Sequence, residues 1–479
     1  MFPRCELRNL QRLRWRMADG QLGSAMTLEQ LQKRNSAGKP GKPKVEFPTL
    51  HIRPEAEAVP ALRIRFWIPR YQRKPGSAEL HFARALLQLH EFPAEDRKNW
   101  GEWSSDRAEP TDEELAAAID SMEQVFDELH TMALCEGVRG DHRIRDLRGA
   151  AIYSYPLHDV QDSRELIRVL RLKIRHHLQR REFDEAFAAI TDGHHLAAFV
   201  GQGETIIHKL VGIAEASLMR DGIEQAIQTP GCPNLYWALA TLPDPLVPMG
   251  EAIDWDINVI RRVLPVLDEA VSATWTEAEA LSRWAEAFDE FKMLIEDGIV
   301  DNKIQVAITV ASLTSVGPAR ERLLAAGLPR ERVAGMPAIQ AAMADGAIQL
   351  RRVGDDLLKG HLLPAPLSKA IVERATADFN QWVQRNRYTS VAAVISGILL
   401  PAGHQAREAE TRMVMWQHRL MTIEAIRMHA EQHGGRFPES LCGSQPHPGD
   451  ARSIHRSALR ISAGDPRWRT GGRVEIRDT

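Results

Sequence analysis

Residues 161–228 read QDSRELIRVLRLKIRHHLQRREFDEAFAAITDGHHLAAFVGQGETIIHKLVGIAEASLMRDGIEQAIQ, and they contain the clearest helical pattern in the chain. Apolar residues recur at the 3.6-residue period of an amphipathic helix, with short breaks between the segments. Because short connections join antiparallel neighbours, the stretch predicts three consecutive antiparallel helices over 161–181, 181–203 and 204–228.

The same pattern predicts which side chains are buried. At least one member of the pair His176 and His177 is expected to be exposed, because adjacent residues on a helix point about 100° apart. The expected buried face comprises Leu166, Leu170, Ile174, Phe187, Leu210, Ile213 and Leu218.

Helical periodicity continues along the chain from residue 75 onward. Capping boxes mark helix starts at Thr111 and Thr276, and Asp162 predicts a third start because Glu165 follows it at the same spacing. Almost no strand-like alternation occurs outside IRFWI at 64–68. Further helices are predicted over 77–92, 110–134, 249–271, 276–297, 303–315, 317–326, 337–361, 366–385, 389–399 and 404–434.

These patterns predict a mainly α fold, an α-solenoid-like array of antiparallel helical hairpins with very little strand. The array resembles tetratricopeptide repeats, although the full repeat consensus is absent. In the segment 77–92, the residues Leu80, Ala83, Leu86 and Leu87 form one apolar stripe, which we expect to face the core.

Length and composition exclude several classes of protein. The 479 residues are 44% apolar and 26% charged, and Lys+Arg 61 against Asp+Glu 64 gives a net charge of -3. This globular composition lacks the basic field that attracts nucleic acid, so no nucleic-acid partner is predicted. The 4 cysteines do not form a disulfide scaffold. No apolar run approaches the roughly 18–20 residues of a transmembrane helix.

Proline, glycine and charge divide the chain into five segments. Residues 1–60 are predicted to be a disordered basic arm and proline-rich linker. An N-terminal helical array follows over 61–228, and a second helical region over 229–403 begins at a proline- and glycine-rich break. Residues 404–441 form one long helix, and 442–479 form a tail.

The tail 442–479 lacks a core pattern and contains seven arginines. We therefore expect the tail to be irregular and exposed.

Two histidine pairs, His176–His177 and His194–His195, are the obvious metal candidates. Neither pair has the i, i+4 spacing that chelates from one helix, and no Cys or carboxylate completes a set. We interpret Cys135 and Cys232 as small apolar side chains. The chain contains no GxSxG, HExxH, Walker or dinucleotide motif, so no catalytic residue, metal or cofactor is predicted.

A binding groove is the alternative interpretation of one aromatic group. Tyr236 and Trp237 follow the break at 229, and Asp254 and Asp256 lie shortly after them. Aromatic residues of a helical array more often belong to the core, and carboxylates two residues apart diverge on a helix. These four residues are nevertheless the candidate binding site.

Three phrases occur together in a known family: PALRIRFWIPRYQRKPGSAELHFARALL at 60–87, TPGCPNLYWALATLPDPLV at 229–247 and AIRMHAEQHGGRFPESL at 425–441. On these phrases the chain resembles, over about 45–441, a large set of uncharacterised helical proteins from planctomycete-type bacteria. PG-x-PNLYWAL is the most specific phrase, and HGG-x-x-PESL ends the resemblance. In members the motif D-P-x-T-G-x-P-F-x-Y follows that last phrase. The codons of 448–461, read one base later, are compatible with PVMPDPFTGQPFEY, so the resemblance implies a one-base frameshift just after Leu441. The resemblance implies no activity, cofactor or site residue. Members usually begin with an export signal, whereas this chain begins with a basic arm.

Stacked helical hairpins build extended surfaces for binding other proteins. The sequence therefore predicts a non-enzymatic scaffold or interaction module whose partner is another protein. One alternative is an enzyme whose site is assembled near 229–256. Another is an exported envelope or secretion-associated structural protein. As it stands the sequence predicts a cytoplasmic protein, and a true start upstream would predict export.

Overall fold

The computed structural model describes residues 49–137, 143–149, 151–294, 309, 316–363, 365–386, 393, 396, 403–438, 459–463 and 472–476. Helices contain most of these residues and strands contain few, which confirms the mainly α fold. The chain divides into two compact units. Unit I contains the described residues of 45–141, 157–249 and 406–479, and unit II contains those of 142–156 and 250–405.

Unit I consists mainly of helices joined by short connections, and elements are numbered here along the whole chain. Residues 403–405 of its last helix belong to unit II. Its elements are β1 (Thr49–Ile52), β2 (Lys74–Ser77), α1 (Ala78–Glu91), α2 (Ala94–Ser104), α3 (Asp112–Ser121), α4 (Glu123–Leu134), β3 (Cys135–Gly137), α6 (His158–Arg180), α7 (Phe183–Val200), α8 (Ile206–Gln228), α9 (Tyr236–Ala240), α17 (Gly403–Gln432), β4 (Leu459–Ala463) and β5 (Gly472–Ile476).

The three helices predicted for 161–228 are present as α6, α7 and α8. α7 and α8 run antiparallel, because Gly193 faces Met219 at one level of the pair and Gly212 faces Ala197 at another. A Cβ on Gly212 would lie 2.5 Å from the carbonyl oxygen of Ala197. Glycine therefore lets the two backbones approach more closely than any other residue would allow.

The predicted buried face of these helices is largely confirmed. Leu166, Leu170, Ile174, Phe187 and Ile213 are buried, and Leu210 and Leu218 are half-buried. The expected exposure of His176 or His177 is wrong, since the first is buried and the second is half-buried. His177 Nδ1 lies 2.8 Å from Glu182 Oε2, and this contact holds the ring against the connection between α6 and α7.

The alternating segment 64–68 does not form a strand. Ile64, Phe66 and Ile68 point into the core, as alternation predicts. The backbone amide of Phe66 donates to Thr241 Oγ1 at 3.1 Å, and that of Ile68 donates to His195 Nε2 at 3.2 Å. Side chains therefore replace the neighbouring strand as hydrogen-bond partners.

Two small sheets belong to unit I. β2 and β3 pair in parallel, and β5 pairs antiparallel with both β1 and β4. The prediction of an irregular tail is therefore wrong at 459–463 and 472–476, and the prediction of a disordered linker is wrong at 49–52. Strand pairing satisfies the backbone amides and carbonyls of these short segments regardless of any apolar periodicity.

Unit II has its own hydrophobic core, which includes Ile260, Phe288 and Leu350. Its short helix at 330–335 was not predicted, and the expected helices 303–315 and 389–399 fall almost wholly outside the described residues. The elements are α5 (Ala151–Ser154), α10 (Gly250–Val263), α11 (Val266–Ser272), α12 (Glu277–Leu294), α13 (Val316–Ala325), α14 (Arg330–Gly335), α15 (Ala338–His361) and α16 (Ala365–Asn386).

Two local predictions in unit I need correction. α6 begins at His158, so Asp162 lies inside the helix and does not cap it. In α1 the buried residues are Ala78, Phe82, Ala85 and Leu89, so the stripe predicted from Leu80, Ala83, Leu86 and Leu87 is not the core face. Both faces of α1 carry apolar residues, and periodicity alone did not show which face is buried.

The compact units also differ from the five predicted segments. Residues 229–249 and most of α17 pack in unit I, although the break at 229 was read as a boundary. The buried side chain of Arg427 donates to backbone carbonyls at Arg53 and Cys232, so α17 is tied to distant parts of the chain. None of the helices in the described ranges combines the length and apolar composition that a membrane crossing requires.

Candidate functional site

The aromatic half of the predicted groove lies in the short helix α9. Tyr236 is buried, and its ring meets that of Trp237 edge to face at a centroid distance of 5.1 Å. The Trp237 indole Nε1 donates to Glu57 Oε1 at 2.5 Å. The pair fixes α9 in unit I, and Trp237 alone keeps part of its side chain at the surface.

The acidic half of the predicted groove lies on α10 in unit II. Asp254 is exposed and accepts a hydrogen bond from Asn258 Nδ2 at 2.8 Å, and Asp256 is half-buried. Each half of the predicted groove thus lies in a different compact unit. A joint role for the four residues remains a prediction.

The histidine pair His194–His195 is enclosed in the core. Burial lowers the pKa of each imidazole to about 3, so both rings are neutral at pH 7. His195 Nε2 accepts the backbone amide of Ile68, and the ring stacks on Trp67 at a centroid distance of 3.9 Å. His195 therefore positions the segment 64–68.

A His–Asp–hydroxyl arrangement occurs at the start of α8. His208 Nε2 lies 3.3 Å from Asp159 Oδ2, and His208 Nδ1 lies 2.8 Å from Thr205 Oγ1. Hydrolases use an imidazole between a carboxylate and a hydroxyl to activate a nucleophile. Here the hydroxyl of Thr205 also caps α8 by accepting the amide of His208, and both side chains are buried. The arrangement thus serves to start a helix.

Glu215 is another buried polar residue of α8, about two helical turns after His208. Burial raises the pKa of its carboxyl group to about 8, although Ser163 and Arg164 lower it. The side chain is therefore mostly protonated at pH 7. Only 2% of the residue is exposed, so a substrate has no access to this carboxyl group in the present conformation.

The family-like phrase TPGCPNLY forms a buried junction with α17. Arg427 Nη1 donates to both carboxylate oxygens of Glu424, at 2.9 and 3.0 Å, and its Nη2 donates to the carbonyl of Cys232 at 2.9 Å. The amide of Leu235 donates to Glu424 Oε2, and Asn234 Nδ2 donates to the carbonyl of Glu424. This phrase is therefore explained by structural contacts. Burial raises the pKa of the Cys232 thiol to about 12, so it is not a thiolate nucleophile.

The surface of α1 carries a second apolar stripe, which we call the α1 outer stripe and define as Leu80, Ala83 and Leu87. Leu80 is 48% exposed and Leu87 is 67% exposed. The exposed cation Arg84 lies between the two leucines. The stripe extends over two helical turns and faces away from the core that Phe82 and Leu89 enter.

Sequence reasoning recognised the residues of this stripe but assigned them to the core. A helix with apolar residues on two faces offers two candidate core faces, and the long-range packing of Phe82 decides between them. Within the described residues, no group of three or more His, Cys, Asp or Glu side chains is arranged to hold a metal ion.

Comparison with known proteins adds no family assignment to this geometry. Neither the protein-family models, nor the curated proteins, nor the solved structures provide a match to this chain.

Proposed function

We propose that this chain is a non-enzymatic helical scaffold that binds another protein through the α1 outer stripe. The observation that carries the proposal is the exposure of Leu80 and Leu87 on one face of a well-packed helix. Single exposed apolar residues are common on protein surfaces, whereas an aligned set is typical of an interaction site.

The chemistry of the stripe favours a helical partner. Its residues are spaced i, i+3 and i+7, the spacing at which one helix contacts another. Arg84 lies within the stripe, so the complementary partner surface has apolar residues beside a carboxylate. The partner is therefore an amphipathic helix with an acidic residue next to its apolar face.

The buried ionisable groups of unit I support a binding role over a catalytic one. Glu215, His194 and His208 have strongly restricted access to solvent, and each lies among packed helices. Catalytic groups must reach a substrate. The enzyme near 229–256, the exported protein and membership of the planctomycete-type family remain predictions.

The test compares two variants in the full-length chain. Leu80→Asp with Leu87→Asp places two charges in the stripe. The matched control is Leu281→Asp with Leu362→Asp, because these leucines of unit II are also exposed, at 56% and 74%, and the same charge is added. A partner is captured from the source cells, identified by mass spectrometry and purified for direct titration. We expect the double variant to lose binding and the control to retain it.

Two results would contradict the proposal. One is equal binding of the purified partner to the double variant and the wild-type chain. The other is a wild-type chain that self-associates in sedimentation velocity while the double variant does not, since that would assign the stripe to a second copy of this chain.

A further inference from the structure

A surface pocket of unit I lies where α1 ends, along α2 and against α6. Its cavity volume is about 390 Å³, which lies near the lower end of the volumes typical of small-molecule binding sites. Its walls are formed by Leu89, Ala94, Trp100, Gly101 and Val169 together with six charged residues.

The charged residues of this pocket are unbalanced. Four cations face two carboxylates: Arg97, Lys98, Arg107 and Arg168 against Glu102 and Glu165. One of the two carboxylates already has a cationic partner, because Glu165 Oε2 accepts a hydrogen bond from Arg97 Nη1 at 3.0 Å. An anion entering the pocket would therefore meet a net positive charge.

Three cations of the pocket have no ion-pair partner among the described residues. Within the part of the chain that the structure describes, no carboxylate lies within ion-pair distance of Lys98, Arg107 or Arg168. The ammonium group of Lys98 and the guanidinium groups of Arg107 and Arg168 can therefore donate to an anion in the pocket without giving up an ion pair.

Beside these donors the pocket offers apolar surface. Trp100 is 6% exposed and packs edge to face on Phe92, so its position is fixed. Gly101 has no side chain to fill the cavity, and a Cβ at this position would lie 3.9 Å from Arg168 Nη1. A larger side chain at 101 would therefore extend into the space beside the guanidinium.

We propose that this pocket binds the carboxylate or phosphate group of a small organic anion, with the apolar part of the ligand against Trp100 and Val169. Guanidinium groups suit both anions, because their planar N–H donors match two oxygen atoms. This proposal does not depend on the protein-binding role of the α1 outer stripe.

The test is isothermal titration calorimetry of the full chain with three probes of similar size. Phenyl phosphate and benzoate carry the two anions on the same ring, and benzyl alcohol is the neutral counterpart. We expect at least one anion to bind and to exceed benzyl alcohol in affinity by about tenfold or more, the scale of one charge-assisted hydrogen bond. The stronger of the two anions shows whether the pocket prefers a carboxylate or a phosphate group.

Variants separate a built pocket from general electrostatic attraction. Arg168→Gln and the pocket-filling Gly101→Val should each weaken binding about tenfold or more, whereas Arg352→Gln, the same charge change at an exposed position of unit II, should not. If Arg168→Gln does not fold, Arg107→Gln replaces it. The proposal is wrong if neither anion binds at millimolar concentration, or if Arg168→Gln and Arg352→Gln behave alike.

Discussion

Each unit contains a carboxylate–arginine ion pair, and the two pairs differ in how far they are buried. In unit I the pair Glu424–Arg427 is almost completely enclosed, with side chains 0% and 2% exposed. In unit II the pair Asp345–Arg322 has a buried carboxylate, but the arginine side chain is 47% exposed. Each arginine donates hydrogen bonds to both carboxylate oxygens of its partner.

The enclosed arginine makes additional hydrogen bonds to backbone carbonyls, and these join separate segments of the chain. Arg427 also donates to the carbonyls of Arg53 and Cys232, so it joins the chain after β1, the break after α8, and α17. Arg322 joins α13 to α15, and Gln349 Nε2 supplies Asp345 with another donor at 2.7 Å. Removal of Arg427 therefore leaves three segments without their shared donor and leaves Glu424 with the amide of Leu235. Removal of Arg322 leaves Asp345 with the side chain of Gln349 and separates only two helices.

The largest effect is expected from replacing the two arginines. Arg427→Met should lower the free energy of unfolding by about 3–5 kcal/mol, because it leaves a buried carboxylate without a counterion. Arg322→Met should cost about 1 kcal/mol or less, since half of its side chain is in solvent. Chemical denaturation, with hydrogen exchange to assign the change to each unit, measures both values.

A double change tests the reason for that difference. Arg427→Met with Glu424→Leu removes both charges and should recover part of the stability that the single change loses. Equal losses for Arg427→Met and Arg322→Met would show that enclosure is not the deciding factor.

The second prediction concerns pH and the buried acid Glu215. Its folded pKa of about 8 lies above the ordinary glutamate value of 4.5, so between these two pH values the folded chain holds a proton that the unfolded chain has released. Its contribution to stability is complete below the unfolded pKa and is lost as pH rises through the folded pKa. Between these values the free energy of unfolding should fall by about 1.4 kcal/mol per pH unit from this group.

Glu215→Gln keeps the shape of this side chain and removes its titration. The variant should lose the decline in stability across this window, measured by urea denaturation at several pH values. An unchanged decline would mean that another group titrates there. His194 and His195 act in the opposite direction, because their depressed pKa values of about 3 reduce stability as pH falls below the usual histidine range.

The third prediction compares two glycines. Gly212→Ala should cost about 1–3 kcal/mol, because the new methyl group would meet the carbonyl oxygen of Ala197, a backbone atom that cannot move alone. Gly317→Ala on α13 is the control, since a Cβ there meets nothing within 4 Å and alanine favours a helix. The close approach of α7 and α8 is contradicted if the two variants have the same melting temperature.

Many helices of this chain could be predicted because local signals encode their starts and faces, although Asp162 gave a wrong start for α6 and the predicted stripe of α1 was the wrong face. The box Thr111–Glu114 and the period of Leu166 and Leu170 are visible in the sequence and present in the structure. The unpredicted features depend on long-range partners. The amides of 64–68 bond to side chains from 195 and 241, and the break at 229 is held by Arg427.

The candidate sites were even less accessible to sequence reasoning. The α1 outer stripe was recognised as apolar, but its exposure depends on Phe82 facing the core. The proposed anion-binding pocket combines residues of α1, α2 and α6, which no spacing rule links. The chemistry of single residues was visible, whereas their convergence required the packed fold.

The smallest expected effect concerns the two capping boxes, one in each unit. Thr111 N donates to Glu114 Oε2 at 2.8 Å, and Thr276 N donates to Glu279 Oε2 at 2.7 Å. In both boxes the threonine hydroxyl accepts the amide of that glutamate. Thr111→Ala and Thr276→Ala should therefore each cost about 1 kcal/mol, and Thr→Ser at either position should retain most of the stability. Hydrogen exchange of α3 and α12 measures each loss in its own helix. Equal losses of local stability in α3 and α12 would show that capping contributes the same free energy in both units, so that the units differ in their buried charges. A loss confined to one unit would mean that the contribution of a capping box depends on the surrounding core.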